Sequence, residues 1–421
     1  MGAFVIRGCE IYLGGAFVPA ELEVRGGVVT ALGGGIVPGE GASVYNFKNC
    51  IVVPGLADVH VHLREPGFSY KETVASGTRA AARSGYSALC AMPNLSPVPE
   101  DAATLAQELE IIRRDAVIDV LPYGAITRGQ RGEQLADMSA MAPYVCGFSD
   151  DGRGVQPREL MRAAMLEAKR LGRPIAAHCE DNSLLRGGYI HDGEYAKAHG
   201  HRGICSESEW GPIARDIELL RETGCAYHVC HISTAESAAL IRSAKREGLD
   251  ITCETAPHYL LLSDSDLQED GRFKMNPPLR SERDRLALIE ALRDGTIDIL
   301  ATDHAPHSAE EKSRGLAGSA FGITGLETAF PLLWTGLVEP GIITRERLVE
   351  LMSTAPARRF GIESGIELGG PATFAVFETE TTYRIDPERF ASKGRATPFA
   401  GREVRGRCVL NVVRGREVWR A

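Results

Sequence analysis

The chain has 421 residues, with 47 Lys and Arg against 56 Asp and Glu, for a net charge of −9. That balance excludes the basic face that nonspecific nucleic-acid binding needs, but not a small anionic substrate, because local charge in a pocket decides that. The length exceeds an ordinary domain of ~100–200 residues and suits one α/β barrel with a small appendage, and no apolar run reaches the ~20 residues of a bilayer span.

The first residues, Met1-Gly2-Ala3-Phe4-Val5-Ile6, lack the charged start and long apolar run of a secretory signal, so a cytoplasmic protein is expected. Three short strands follow, Ala16–Val18, Glu21–Val24 and Val28–Leu32, with Gly26-Gly27 as a hairpin turn. Short apolar runs then end at Asp58, Met92, Ile126, Phe148, His178, His231, Glu254 and Asp303. Helical patterns lie between them over Tyr70–Ser84, Asp101–Asp115, Glu159–Gly172, Glu207–Thr223, Thr234–Glu247 and Glu282–Asp294. Within Glu159–Gly172, Leu160, Ala164, Ala168 and Leu171 share one face and Gly172 supplies the stop. Strand candidates that alternate with helices in this way predict a (β/α)8 barrel. A doubly wound open sheet is the alternative, but no Gly-rich nucleotide loop supports it. Near the C-terminus Phe374–Phe377, Cys408–Val413 and Glu417–Trp419 read as strands again. The expected division is 1–52 and 365–421 as two parts of one small β domain, with 53–364 as the barrel. The ten cysteines form no CxxC pair, and Cys90, Cys225 and Cys253 sit in apolar runs. Reduced, mostly buried thiols are expected.

Catalytic groups of such a barrel lie at the C-terminal ends of its strands. His60 and His62 follow the first run, Asp150 and Asp151 the fourth, His178 the fifth, His231 the sixth and Asp303 the eighth. Alone, each has a plain structural explanation: a polar strand end for His60 and His62, a hydrogen-bonded core histidine for His178 or His231, a helix cap for Asp303. Their joint placement points to a metal site. Nitrogen and carboxylate ligands suit Zn²⁺, with Mn²⁺ or Co²⁺ as substitutes. A metal that acidifies water and polarises a carbonyl points to hydrolysis of an amide or related bond.

At these residues the sequence resembles the dihydroorotases of the amidohydrolase superfamily, over nearly its whole length. The resemblance rests on Asp58-Val59-His60-Val61-His62-Leu63-Arg64-Glu65-Pro66-Gly67, on Ala91-Met92-Pro93-Asn94, and on Ala301-Thr302-Asp303-His304-Ala305-Pro306-His307. Thr397-Pro398-Phe399-Ala400-Gly401 resembles the family's C-terminal β domain. The resemblance implies one or two zinc ions per subunit. His60, His62 and Asp303 resemble the ligands of the more buried ion, and His178 and His231 those of the second. Hydantoinases and allantoinase carry a carboxylated lysine after the fourth strand. Phe148-Ser149-Asp150-Asp151-Gly152 has no lysine and is similar to the branch that uses an aspartate: Asp151, with Asp150 as the fallback. Arg64, Asn94 and His307, with His62, are implied to hold the substrate carboxylate. Asn276 and the backbone of Phe321 and Gly322 are implied to read the ring amide, and Asp303 to move the proton. The implied reaction is reversible hydrolysis of dihydroorotate to N-carbamoyl-L-aspartate in pyrimidine synthesis, by a homodimer with a possible complex with aspartate transcarbamoylase. The rival readings are a hydantoinase, dihydropyrimidinase or allantoinase, or an inactive scaffold of the transcarbamoylase. Ser313–Gly325 is the candidate loop to close over substrate. His258 and His304 receive no role, and His191, His199 and His201 are expected to be exposed.

Overall fold

The computed structural model describes residues 2–421. Eight parallel strands follow one another around a nearly closed barrel: Leu56–Val61, Tyr86–Ala91, Asp119–Gly124, Gly147–Phe148, Ile175–Ala177, Tyr227–Val229, Ile251–Thr255 and Ile299–Leu300. The first two are buried at every position. That explains why they read as mostly apolar runs, interrupted by Asp58 and His60 in the first and Ser87 in the second: a parallel strand with helices outside and packed side chains inside has no wet face. Ala57, Val59, Ala88, Cys90, Ala176 and Cys230 pack with the larger Tyr123 in one buried cluster drawn from successive strands. The predicted (β/α)8 barrel is therefore present.

The eighth strand is short, and side-chain and loop contacts close the gap to the first. The buried carboxylate of Asp58 accepts the Thr302 amide at 3.2 Å on each oxygen and the His60 amide at 3.1 Å. The His62 amide donates to the His304 carbonyl at 2.8 Å. The start of the first strand's loop and the loop after the eighth thus share one stretch of backbone, which fixes His60, His62 and Asp303 relative to one another.

The helices keep to their predicted spans within a few residues, and capping explains the differences. The first begins at Val74 rather than Tyr70 because the Thr73 side chain accepts the Ser76 amide as its cap. Arg158–Leu171 stops at Gly172, which sits at φ 66°.

A second sheet gathers both chain ends. Its order runs Arg416–Arg420, Arg407–Val413, Phe374–Glu378, Cys50–Pro54, Phe4–Leu13, Ala16–Arg25, Val28–Gly33, with Ser43–Asn46 also paired to Phe4–Leu13. Phe4–Leu13 is a strand that the sequence pattern did not suggest. Ala16–Arg25 is one strand where two were predicted. Pro19 does not break it, because the third strand pairs only with Glu21–Arg25 and leaves residues 16–20 with one open edge, where proline is tolerated. All ten cysteines are free, and all but the half-buried Cys205 are buried. No helix among the described residues is long and apolar enough to cross a membrane.

Candidate metal centre and substrate cavity

His60 lies within the first barrel strand and His62 just beyond it, so both rings face the barrel mouth. His62 Nε2 is 3.3 Å from Asp303 Oδ1, and His60 Nε2 is 3.6 Å from the same oxygen. Asp151 reaches the cluster from the end of the fourth strand, with Oδ1 3.3 Å from His60 Nε2, 3.4 Å from His231 Nε2 and 3.5 Å from His178 Nδ1. Its other oxygen is 3.5 Å from His62 Nε2. Asp150 points elsewhere: its carboxylate accepts the amides of Ile126 at 2.8 Å and Thr127 at 3.1 Å and the Thr127 hydroxyl. Of the two adjacent aspartates only Asp151 faces the histidines.

This donor set fits a metal. His60, His62 and Asp303 present donor atoms within 4.8 Å of one another, and so do His60, Asp151 and His231. Two ligands of one tetrahedral zinc, each bonded at ~2.0–2.1 Å, lie ~3.3 Å apart, close to the spacings observed. His60 Nε2 and Asp151 Oδ1 are buried and have no hydrogen-bond partner among the described residues. His178 Nδ1 and His231 Nε2 face each other at 3.0 Å, a contact two lone pairs cannot hold without a proton or cation between them. The electrostatics agree. Burial disfavours a charged His178, yet the carboxylates of Asp151 and Glu180 push it up to about 10. Burial opposes a charged His60 too, but Asp151 and Glu254 raise it well above an ordinary imidazole. Burial would raise Asp303, but the His62 hydrogen bond and nearby imidazoles keep it below the usual carboxylate value. The cluster attracts positive charge while its aspartates stay ionised.

The supporting residues were not assigned from sequence. Glu254, at the end of the seventh strand, holds His60 Nδ1 at 2.6 Å and His228 Nε2 at 3.1 Å. That commits His60 Nδ1 as the donor and leaves Nε2 as a lone pair aimed at Asp151 and Asp303. Glu180 stands behind His178, with Oε2 3.5 Å from Nε2, and accepts the Asn276 amide at 2.9 Å. Both are carboxylates next to apolar runs, and the contacts with His60, His228 and Asn276, all distant in sequence, carry no local signal.

Every predicted site residue except the fully buried His60 lines one cavity of about 190 Å³. Arg64 Nη2 lies 3.4 Å from His307 Nε2, which is 2.7 Å from the Phe321 carbonyl. Asn94 donates to the Asp151 carbonyl at 2.6 Å. Gly322 sits at φ 127°, and a Cβ there would lie 2.6 Å from the Ala305 carbonyl, so only glycine lets this backbone line the cavity. Three of the few non-glycine residues with positive φ are Arg64 at 61°, His231 at 33° and Asp303 at 47°. Backbone strain of ~1–3 kcal/mol each, held by the surrounding packing, is typical of functional loops. Within Ser313–Gly325, the buried Lys312 ammonium beside the segment ties the Ala320 and Gly322 carbonyls at 2.7 Å and the Lys274 carbonyl at 3.0 Å.

His258, left without a role, is buried beside the site, and burial lowers it to about 4. Of the three histidines expected to be exposed, two are not. His191 is buried rather than exposed, with Nδ1 3.4 Å from Arg280 Nη1, because a short strand pair folds its polar segment against the barrel. His199 is exposed, and His201 is half-buried against Tyr189 and Glu269.

Residues 49–237 match the family described as Dihydro-orotase-like. The whole chain is 47% identical over 422 residues to the dihydroorotase of Bacillus caldolyticus, covering 99% of it, and 47% identical over 423 residues to that of Geobacillus kaustophilus, again covering 99%. The chain belongs to the dihydroorotase family. As a dihydroorotase-family enzyme it is a cyclic amide hydrolase. Its fold is also that of L-hydantoinase (dihydropyrimidinase) from Arthrobacter aurescens, with a TM-score of 0.88, 24% identity, and coverage of 100% of this chain and 96% of that one. Among the described residues, the fourth-strand end of this dihydroorotase-family chain offers Asp151 to the cluster and no lysine.

Proposed function

We propose that the chain catalyses the zinc-dependent, reversible hydrolysis of (S)-dihydroorotate to N-carbamoyl-L-aspartate in cytoplasmic pyrimidine synthesis, with 53–364 as the catalytic barrel and 1–52 and 365–421 as one small β domain. The carrying observation is the wall formed by the Arg64 guanidinium and the His307 ring beside the histidine–aspartate cluster, in a cavity the size of one small ring. One or two ions held by His60, His62, Asp151, His178, His231 and Asp303 would polarise the scissile carbonyl and acidify a water.

The chain's own residues do the rest. Arg64 presents a planar fork suited to a carboxylate. Asn94 keeps one N–H on the Asp151 carbonyl and can turn its second to the substrate. Asn276 gives its N–H to Glu180, which can only accept, so its amide oxygen, unpartnered among the described residues, is left to take a ring N–H. Asp303, ionised and 3.3 Å from His62, accepts the proton of the attacking water and passes it to the ring nitrogen as the C–N bond breaks. Homodimerisation and docking to a transcarbamoylase accompany this reading.

The test pairs dihydroorotate with dihydrouracil, which lacks the carboxylate, and quantifies metal on the same sample. Turnover of dihydroorotate at least about a hundredfold faster, with stoichiometric zinc, is expected; preference for dihydrouracil would favour the hydantoinase reading, and a metal-free inactive protein the scaffold. Arg64→Ala should cost about 2–4 kcal/mol in kcat/KM for dihydroorotate. If dihydroorotate kinetics were unaffected, the carboxylate is bound elsewhere.

A further inference from the structure

Lys71 has no part in the reading above, yet it touches the cavity wall. It lies on the loop between the first strand and its helix, its side chain only 14% exposed. Its Nζ is 3.2 Å from His307 Nδ1 and 2.9 Å from Glu311 Oε1. We infer that Lys71 is a positioning residue that fixes the tautomer of His307 and so aims its Nε2–H at the substrate carboxylate. This rests on the reading of His307 as a carboxylate contact.

A lysine ammonium has three donors and no acceptor. Against it, His307 Nδ1 must carry the lone pair, so the proton of the neutral ring sits on Nε2. The opposite face of the ring gives the same answer independently. Nε2 is 2.7 Å from the Phe321 carbonyl, which can only accept. Burial, then the charges of Arg64 and Lys71, lower His307 to about 3, so the ring is neutral and its tautomer is what matters.

Two contacts compete. Arg64 Nη2, a donor only, lies 3.4 Å from Nε2 and would favour a lone pair there, but the accepting Phe321 carbonyl is much nearer at 2.7 Å. Glu311 Oε2 is 3.5 Å from His307 Nδ1 and would favour a proton there. Lys71 is nearer, and that oxygen already accepts the Ser308 amide and hydroxyl at 3.1 Å each. Glu311 is thereby fixed as a helix cap, and its other oxygen anchors Lys71. The remaining charged neighbour, Lys312, also repels a proton from the ring.

The consequence is chemical. With the proton on Nε2, His307 gives the cavity a donor that exchanges the Phe321 carbonyl for a carboxylate. With the proton on Nδ1, it would turn a lone pair toward the same carboxylate and repel it. Lys71 thus acts on substrate handling through another side chain, without touching the reacting bond.

The experiment uses the full-length, metal-loaded protein as wild type, Lys71→Met, Lys71→Gln and Lys71→Arg, with ¹⁵N-labelled histidine. In wild type the His307 ring nitrogens should show the Nε2–H pattern. Lys71→Met should show a mixture of tautomers, Lys71→Gln an intermediate, and Lys71→Arg the wild-type pattern. On dihydroorotate, Lys71→Met should raise KM about tenfold, the scale of one hydrogen bond to a charged group, with kcat and metal content within about twofold. Lys71→Arg should restore KM. An unchanged Nε2–H pattern in both Lys71→Met and Lys71→Gln overturns the inference. A wild type that does not turn over dihydroorotate overturns the functional reading instead, while the nitrogen shifts still decide the role of Lys71.

Discussion

Asp303→Asn is expected to lower kcat for ring opening by about 10³-fold or more, while the barrel stays folded and retains most of its metal. That factor corresponds to about 4 kcal/mol of lost transition-state stabilisation. Asparagine keeps the shape, the burial and an oxygen toward His62, but it cannot take a proton from water and return it to the leaving nitrogen. It also suits the backbone: Asp303 sits at φ 47°, where asparagine and aspartate are tolerated better than other non-glycine residues. Asp303→Ala should lose as much turnover and a further ~1 kcal/mol of stability through backbone strain. Initial rates, thermal melting and metal content on the same preparations provide the check. A purified Asp303→Asn variant working within tenfold of wild type would remove Asp303 from the proton-transfer role.

Much of the barrel could be read from the sequence, because strands covered on both faces become mostly apolar runs and the residues after them mark one rim. His60, His62, His178, His231 and Asp303 were found in this way, each by its place after a run. Other features were hidden for identifiable reasons. Phe4–Leu13 lost its strand pattern to Arg7 and Gly8, and Gly8 marks a bulge where the register slips between Ile6 and Cys9. Asp150 and Asp151 offer the same chemistry one residue apart, and only the Ile126 and Thr127 amides, which capture Asp150, separate them. Lys71 carries no signal in the sequence, because His307 lies 236 positions away in the chain. Periodicity and spacing locate side chains on elements; they do not reveal which distant pairs share a proton.

Glu254 is the clearest such case, and the variant Glu254→Gln should weaken metal affinity or activity about 10–100-fold, the usual cost of altering a carboxylate behind a ligating histidine. Its carboxylate joins His60, 194 positions away, to His228, and is almost completely buried. Burial alone would favour its protonation, but the two imidazoles outweigh that and hold it ionised, far below an ordinary glutamate. Glutamine is nearly isosteric, so packing survives, but the charge that makes Nδ1 the donor of His60 is gone. The His60 ring can then turn its proton toward Nε2, the nitrogen that faces Asp151 and Asp303. Glu254→Leu should do more, because it strips the partner from two buried rings; a loss of about 3–5 kcal/mol of stability is the scale for breaking a buried pair. Chelator-competition titration measures the first effect and thermal melting the second. If Glu254→Gln bound metal and turned over substrate within twofold of wild type, His60 would owe its orientation to the strand and to Asp58 rather than to the carboxylate behind it.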